Sequence, residues 1–327
     1  AGGQPSSVTN PSRRTFASLF EAITSNVAQV VHGKREVIDL AVISLLAEGH
    51  ILIEDVPGVG KTSLAKALAA SIDCTWKRVQ FTPDLLPGDI TGMSIFNRQT
   101  EEFEFRPGPV FANVVIADEI NRASPKTQSA LLECMAEHQV TVDGVTYGLA
   151  TPFLVVATQN PVEMDGTYPL PEAQRDRFTA RVSIGYPDPA AELTMLDEHS
   201  AAEPLDQLRP VADAPAVRAV IEAVRRVRVG PEVRQYCVDL VTATRRLPDL
   251  RLGASPRATL QLVRTARAQA ALSGRGFVVP DDVRAVAVPV LAHRLLLAPE
   301  AQAGRRSTTD LVHTLLARLP VPTPARP

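Results

Sequence analysis

Residues 51–63 carry the clearest chemical signal in this chain, with the sequence ILIEDVPGVGKTS. An apolar run, a glycine-containing turn and a Lys-Thr pair in this order predict a strand, a phosphate-binding loop and the start of a helix. Gly58 and Gly60 let the backbone curl so that consecutive N–H groups point inward. Lys61 can then reach the β- and γ-phosphates of a nucleotide, and Thr62 can offer its hydroxyl to Mg²⁺. The helix that follows directs the positive end of its dipole at the same phosphates.

One position departs from the strict G-x-x-x-x-G-K-[ST] pattern, because Asp55 stands where the pattern has its first glycine. That glycine mainly shapes the entry to the loop, so the part that contacts phosphate is retained. The loop alone would also fit a strand, a turn and a helix that bind nothing. Whether it binds phosphate must therefore be judged from other segments of the chain. Its candidate nucleotide-binding residues are Pro57, Gly58, Val59, Gly60, Lys61, Thr62 and Ser63.

Two further apolar segments lead into polar residues. Residues 114–117 run directly into Asp118 and Glu119, and residues 153–158 are followed closely by Asn160. Open α/β sheets bind their ligands at the carboxyl ends of the strands. Phosphate-transfer chemistry needs a carboxylate that holds Mg²⁺ through its water shell and a base that polarises the attacking water. We predict the first role for Asp118 and the second for Glu119, while Asn160 can orient the water or contact the γ-phosphate.

The composition limits the classes of protein to which the chain can belong. With 327 residues, of which 45% are hydrophobic and 21% charged, it has room for two domains and the balance of an ordinary soluble globular protein. A net charge of −2 disfavours a surface coated with nucleic acid, and no apolar run approaches the roughly 20 residues of a membrane span. The 3 cysteines form no CxxC motif, which favours packing roles in a reducing cytoplasm.

Apolar periodicity predicts two helices, residues 16–31 and 37–47, ahead of the phosphate-binding loop. Strands and helices then alternate, which specifies a mostly parallel sheet with helices on both faces. The predicted strands are residues 51–54, 77–81, 114–117 and 153–158, and the predicted helices are residues 63–72 and 126–137. The fold class is therefore α/β, with a nucleotide site at one edge of the sheet.

Two segments interrupt this alternation and are predicted to be β-hairpins. Residues 93–105 have alternating patches around a polar turn, and residues 139–147 alternate around Asp143 and Gly144. The Asp-Gly pair favours a type I′ turn. Each segment could alternatively be a meander that merely extends the main sheet.

The sequence beyond residue 189 has the period of helices and no predicted strand. Ser255 and Pro256 fit the N-cap and the first position of one of these helices. The predicted helices are residues 214–229, 231–246, 255–273 and 280–297. They predict a second, all-α domain.

Domain boundaries follow from these patterns. Residues 16–188 are predicted to form the α/β domain and residues 189–318 the helical domain. Residues 1–15, rich in Gly, Pro and Ser, are predicted to be a disordered tail. Residues 319–327 are predicted to be a stiff, proline-rich tail.

Taken together, these segments resemble the MoxR family of AAA+ ATPases over nearly the whole chain. The matching segments are residues 30–34, 54–62, 80–89, 105–109, 117–128, 157–161, 170–174, 176–178 and 253–257. The resemblance implies a P-loop AAA+ nucleotide-binding domain with a C-terminal all-α lid, in which the two hairpins are inserts that face a ring pore or a partner. It also implies a hexameric ring of identical subunits with ATP between neighbours.

The same resemblance assigns two arginines. Arg177, in an Asp-Arg-Phe motif, matches the arginine finger that reaches the γ-phosphate held by a neighbouring subunit, and Arg175 is the second candidate. Without that role, Arg177 would simply pair with a surface acid such as Asp176. Arg257 matches the lid arginine called sensor 2, which acts either within its own subunit or across the interface.

The resemblance also places Val31 and Gly33 against the adenine base, while His32 could equally be a turn residue that faces water. No histidine lies at metal-ligand spacing with a cysteine or another histidine. The only metal inferred is therefore Mg²⁺.

The function implied by the resemblance is Mg²⁺-dependent ATP hydrolysis that remodels or matures protein clients, beside a partner with a von Willebrand factor A (VWA) domain. One alternative is the AAA+ subunit of a metal chelatase, which shares the Asp-Arg-Phe finger and the partner type. Another is a nucleic-acid motor, which would favour Lys or Arg at both hairpin tips. The second tip carries Asp143, and the first mixes Arg98 with Glu101 and Glu102, which disfavours a motor.

Overall fold

The structure is a computed structural model in which the described residues are 11–56, 58–161, 167–187, 189–190, 192–193 and 204–322. The strands are β1 Ile51–Glu54, β2 Ile72–Asp73, β3 Trp76–Gln80, β4 Gly92–Asn97, β5 Glu102–Pro107, β6 Val114–Asp118, β7 Gln139–Val142, β8 Val145–Gly148, β9 Leu154–Gln159, β10 Ala180–Val182, β11 Ala212–Asp213, β12 Leu250–Leu252 and β13 Leu296–Leu297. The helices are α1 Pro11–Ala28, α2 Arg35–Leu46, α3 Lys61–Ser71, α4 Pro87–Thr91, α5 Pro125–Glu137, α6 Glu172–Arg175, α7 Pro204–Gln207, α8 Ala214–Arg225, α9 Pro231–Thr244, α10 Pro256–Leu272, α11 Pro280–Leu291, α12 Pro299–Ala303 and α13 Thr308–Arg318.

The central sheet contains five parallel strands in the order β10, β1, β9, β6, β3. This confirms the predicted α/β class. β10 is not among the strands that the sequence pattern predicts, because three residues are too few to show an alternating pattern.

Alternate residues of the central strands face opposite sides of the sheet. Ile53 and Val156 belong to the apolar cluster that includes α1, α2 and α3, whereas Leu52 and Val155 belong to the cluster that includes α5. All four side chains are buried. Because both faces are covered, these strands read as continuous apolar runs in the sequence.

The register of the parallel strands brings their polar ends to one edge. Gln80 at the end of β3 is level with Asp118 at the end of β6. Glu54 at the end of β1 is level with Gln159 at the end of β9. The loops that follow these strands therefore meet at the carboxyl edge of the sheet, where the phosphate-binding loop also lies.

Both predicted hairpins are present, and neither extends the main sheet. β4 pairs with β5 and β7 pairs with β8, each as a separate two-stranded antiparallel sheet. Asp143 and Gly144 both have positive φ, as a type I′ turn requires. The ring of Phe105 stacks on that of Tyr147 at 4.1 Å between centroids, so the two hairpins contact each other.

The C-terminal domain packs its helices onto the α/β domain. Helix α10 contacts α11 within the lid and also contacts α1 and α2. The lid therefore shares one continuous apolar cluster with the face of the sheet that α1, α2 and α3 cover.

The expectation that strands end before residue 189 is wrong. β11 pairs in parallel with β2, and β12 pairs antiparallel with β13. The predicted helix 280–297 ends at Leu291, two residues after Pro289, whose missing N–H removes one hydrogen bond to the preceding turn. Helix α13 occupies residues for which the sequence pattern predicts no helix.

The N-terminal boundary also differs from the prediction. Helix α1 begins at Pro11, inside the stretch expected to be a tail. Proline is favoured in the first turn of a helix, which accounts for this starting point. Residues 1–10 and 323–327 of the two predicted tails lie outside the described residues. In the part of the chain that the structure describes, every helix is too short or too polar to cross a membrane.

Candidate active site

Helix α3 begins at Lys61, directly after the glycines of the phosphate-binding loop. Gly58 and Gly60 have φ of +82° and +86°, in the left-handed region that glycine adopts without steric cost. A Cβ atom on either glycine would meet no atom within 4 Å, so the loop borders open space. Among the described residues no side chain caps the N-terminus of α3, and the N–H groups in the first turn of a helix are the ones that bind anions.

Asp118 is the buried acid at this edge, and only 3% of it is exposed. Its carboxylate accepts hydrogen bonds from the hydroxyls of Thr62, at 3.1 and 3.2 Å, and Thr158, at 3.0 Å. The Nε atom of Arg78 donates to the same carboxylate at 2.6 Å. The acid and the hydroxyl that the sequence predicts to hold Mg²⁺ are therefore in direct contact.

Glu119 follows Asp118 but turns its side chain along a different path, because its backbone has φ of +54° in the left-handed region. Its Oε2 atom accepts a hydrogen bond from Nε2 of Gln80 at 2.9 Å and pairs with Arg122 at 3.2 Å. Its amide donates to the hydroxyl of Thr158 at 2.9 Å. The two adjacent carboxylates are thus held apart by separate partners.

Lys61 donates from Nζ to the backbone carbonyls of Asp55 and Gln159, at 2.5 and 3.3 Å. These carbonyls hold the ammonium group beside the phosphate-binding loop. Asn160 follows Gln159, is 4% exposed and lines the same cavity. The three strand ends singled out in the sequence therefore converge.

The cavity that these groups line has a volume of about 500 Å³. Gly33 is not among the described residues that line it, and with φ of +67° it turns the chain between His32 and Lys34, which do line it. Pro57 lies outside the described residues. The sequence-predicted residues that line the cavity are Val31, Gly58, Val59, Gly60, Lys61, Thr62, Ser63, Asp118, Glu119 and Asn160.

The three candidate arginines lie elsewhere. Arg177 is partly exposed and donates from Nη1 to the carbonyl of Ala173 at 3.3 Å. Asp176, the acid named above as the alternative partner of Arg177, instead forms an ion pair with Arg294 at 2.8 Å. Arg257 is exposed at the start of α10, and Arg175 lines a separate cavity of about 360 Å³.

Asp55 has a structural role at the entry to the loop. Its carboxylate accepts hydrogen bonds from the amides of Val56 and Gly185 and from the hydroxyl of Ser183, at 2.8, 2.6 and 2.8 Å. Burial alone would raise the pKa of Asp55, but these hydrogen bonds outweigh it and lower the pKa below its usual value. The residue that departs from the strict motif therefore joins the loop to the segment after β10.

Several residues of this site do not stand out in the sequence. Arg78, Gln80 and Thr158 contact the carboxylates of Asp118 or Glu119, and Lys66 also lines the cavity. These residues lie beside Asp118 because β3 pairs in parallel with β6. A sequence-based prediction could have found them only by placing β3 next to β6. That inference requires the strand order, which the pattern of apolar residues leaves open.

The donor set fits Mg²⁺. Thr62 and Asp118 present a hydroxyl oxygen and a carboxylate within 3.2 Å of each other, and hard oxygen ligands of this kind suit Mg²⁺. The two open glycine faces and the uncapped start of α3 leave room beside them for phosphate groups. The edge of the sheet can therefore accommodate a magnesium-bound triphosphate.

The fold and the cavity define the class of protein. Residues 50–180 match the model of the ATPase family associated with various cellular activities (AAA), and residues 242–315 match the AAA lid domain. A crystal structure of a presumed ATPase from Cytophaga hutchinsonii aligns with a TM-score of 0.87 at 39% identity, over 95% of this chain and 97% of that chain. The chain is therefore an AAA ATPase with a helical lid.

Curated relatives narrow the class to one family. YeaC of Bacillus subtilis is 48% identical over 304 residues, which cover 93% of this chain and 95% of that protein. Chaperone MoxR1 of Mycobacterium tuberculosis is 40% identical over 312 residues, which cover 93% of this chain and 82% of that protein. The chain belongs to the MoxR family of AAA ATPases.

Proposed function

We propose that this chain is a Mg²⁺-dependent ATPase that assembles into a ring of six identical subunits and remodels or matures protein complexes beside a VWA-domain partner. The observation that carries the catalytic part is the convergence of Lys61, Thr62, Asp118 and Glu119 on one cavity at the start of α3. The relative named as a chaperone supports the role in acting on client proteins.

The phosphate-binding half of the site consists of the first turn of α3 and Lys61. The N–H groups of that turn bind the phosphates, and Lys61 exchanges its carbonyl partners for the β- and γ-phosphates. Thr62 and Asp118 hold Mg²⁺, which neutralises phosphate charge and fixes the phosphate orientation. Arg78, which contacts Asp118 at 2.6 Å, supplies a positive charge beside that carboxylate.

Glu119 is the general base in this proposal, because it lies beside Asp118 at the cavity wall and its carboxylate is held by Gln80 and Arg122. Asn160, which is buried and lines the same cavity, orients the attacking water or contacts the γ-phosphate. Val31 borders the adenine end of the cavity.

Arg177 acts on the nucleotide of a neighbouring subunit. Its position outside the cavity of its own chain, with a partly exposed side chain, supports that assignment. An arginine supplied across an interface stabilises the charge of the transition state. Arg257, exposed at the start of α10, responds to the γ-phosphate from the lid.

The proposal is tested by measuring ATP turnover per subunit over a range of protein concentrations, together with the oligomeric state. Turnover per subunit is expected to rise as the ring assembles. Arg177→Ala is expected to keep ATP binding and assembly but to lose on the order of 10³-fold in turnover, with Arg175→Ala as the matched comparison. A monomer that hydrolyses ATP as fast as the oligomer would contradict the role across the interface.

The biological role is tested with Glu119→Gln, which retains ATP without hydrolysing it. Affinity purification of this variant in ATP and in ADP is expected to recover a VWA-domain protein preferentially in ATP. Recovery of a large chelatase subunit would support the chelatase alternative instead. Stimulation of turnover by DNA that weakens with salt would support a nucleic-acid motor.

A further inference from the structure

Arg294 ends the 3₁₀ turn that follows lid helix α11, and its side chain is 1% exposed. Its guanidinium donates to the backbone carbonyls of Asp176, Phe178 and Thr179, at 3.0, 2.6 and 3.1 Å. Its Nε atom also pairs with the carboxylate of Asp176 at 2.8 Å. A single lid arginine therefore holds the chain on both sides of Arg177.

The second carboxylate oxygen of Asp176 accepts a hydrogen bond from the hydroxyl of Ser255 at 2.9 Å. Ser255 occupies the N-cap position of α10, as predicted, but its side chain does not cap the helix. Arg257 lies in the first turn of the same helix. One carboxylate thus joins the end of α11 and the start of α10 to the segment that carries Arg177.

The contacts of Arg294 and Asp176 do more than pair two buried charges, because they also hold the backbone around Arg177. Phe178, the residue after Arg177, is fully buried, and its carbonyl also contacts Nε2 of His293 at 3.1 Å. The backbone around Arg177 is therefore anchored while its side chain extends to partly exposed surface. Burial lowers the pKa of Arg294, and the Asp176 carboxylate opposes that effect by stabilising the cation.

We propose that Arg294 and Asp176 are positioning residues, which lock Arg177 to the lid of its own subunit and so present it to the nucleotide of the neighbouring subunit. The inference rests on the proposed role of Arg177 across the interface. A lid that moves when its own nucleotide changes would carry the anchored segment with it.

Mixed rings test this proposal, because they separate the subunit that gives Arg177 from the subunit that binds ATP. A Lys61→Ala subunit cannot use ATP but retains Arg177. An Arg177→Ala subunit binds ATP but lacks the arginine finger that its neighbour needs. Each is expected to be inactive alone. Mixing them in equal amounts is expected to restore turnover at interfaces where an Arg177→Ala subunit binds ATP and its Lys61→Ala neighbour supplies Arg177.

Asp176→Asn is then added to one partner at a time. In the Lys61→Ala subunit it is expected to lower the restored turnover by at least about tenfold, since a small misplacement of a catalytic group is costly. In the Arg177→Ala subunit the same change is expected to alter turnover by less than about twofold, because that subunit gives no finger. Arg294→Lys, whose ammonium cannot span the carbonyls that the planar guanidinium reaches, is expected to show the same asymmetry.

Asp282→Asn is the matched control, since Asp282 is 3% exposed and pairs with Arg275 at 2.5 Å elsewhere in the lid. Asp282→Asn is expected to change the restored turnover by the same factor in either subunit type. Three results for Asp176→Asn and Arg294→Lys would overturn the proposal. They are a loss of turnover only when the change is in the ATP-binding subunit, an equal loss with the change in either subunit, and no loss with either. Failure of the unmodified Lys61→Ala and Arg177→Ala pair to restore turnover would instead refute the role of Arg177 across the interface, and with it this inference.

Discussion

The carboxylate of Asp55 accepts a hydrogen bond from the backbone amide of Gly185 at 2.6 Å, which joins the start of the phosphate-binding loop to the chain that leaves β10. Gly185 also lines the nucleotide cavity. The position at which this chain departs from the strict phosphate-binding motif is therefore used to fix one wall of the site. A glycine at position 55 could shape the loop but could not make this connection.

Asp55→Gly, which restores the strict motif, is expected to destabilise the protein. The change removes three hydrogen bonds to a charged acceptor and adds backbone freedom to the unfolded chain. We expect the free energy of unfolding to fall by about 2 kcal/mol, measured by urea denaturation. Asp55→Asn, which keeps one acceptor oxygen, is expected to lose less, and a glycine variant as stable as the parent protein would contradict the account.

His50 gives a prediction about pH. Its Nδ1 atom accepts a hydrogen bond from the amide of Val155 at 3.0 Å, and its Nε2 atom contacts the carbonyl of Met135 at 3.2 Å, which fits a neutral ring protonated on Nε2. Burial, with a smaller effect from His138, lowers the pKa of His50 to about 3. In the unfolded chain the pKa is about 6.5.

Between these two pKa values the unfolded chain binds a proton that the folded chain does not, so stability falls as pH falls below about 6.5. From pH 7.5 to pH 5 this residue is expected to contribute a loss of about 2 kcal/mol in the free energy of unfolding. His50→Gln is less stable at neutral pH but is expected to show a correspondingly flatter dependence. The buried His293, whose pKa is also lowered, is present in both proteins and cancels in the comparison. Parallel pH curves for the two proteins would contradict the prediction.

Thr158→Val tests how the two acids are held. The hydroxyl of Thr158 donates to Asp118 at 3.0 Å and accepts from the amide of Glu119 at 2.9 Å, and the residue is fully buried. Valine has the same shape but makes neither hydrogen bond. We expect turnover to fall by about tenfold, because the Asp118 carboxylate and the Glu119 backbone lose a shared support. Thr265→Val, which changes a buried lid threonine that contacts the Gln261 carbonyl, is the matched control and is expected to leave turnover nearly unchanged.

The sequence predicts the centre of this site better than its borders. Asp118 and Asn160 could be placed because the strands before them are apolar on both faces and their carboxyl ends must share one edge. The partners of Asp55 could not, since they depend on β10, a strand of three residues. The role of Ser255 shows the same limit, because its local signal as an N-cap is correct while its hydrogen bond goes to Asp176 in another domain.

In the lid, the local pattern of apolar residues predicts the structure less well than it does around the nucleotide site. Helix α11 ends at Leu291, earlier than predicted, and the residues that follow form a 3₁₀ turn that buries Arg294. An arginine that is 1% exposed runs against the usual preference of charged residues for the surface. The carboxylate of Asp176 and the carbonyls of that distant segment compensate the buried charge, and such contacts have no signature in sequence.

The most direct test of the central claim is the equilibrium binding of ATP to the parent protein, Lys61→Ala and Glu119→Gln, with hydrolysis measured on the same samples. In the proposed function Lys61 binds the phosphates, so Lys61→Ala is expected to lose ATP binding. The same proposal has Glu119 act only on the attacking water, so Glu119→Gln is expected to bind ATP as the parent does while hydrolysis is abolished. Equal loss of ATP binding in both variants, or hydrolysis that survives Glu119→Gln, would contradict the assignment of the cavity and of its base.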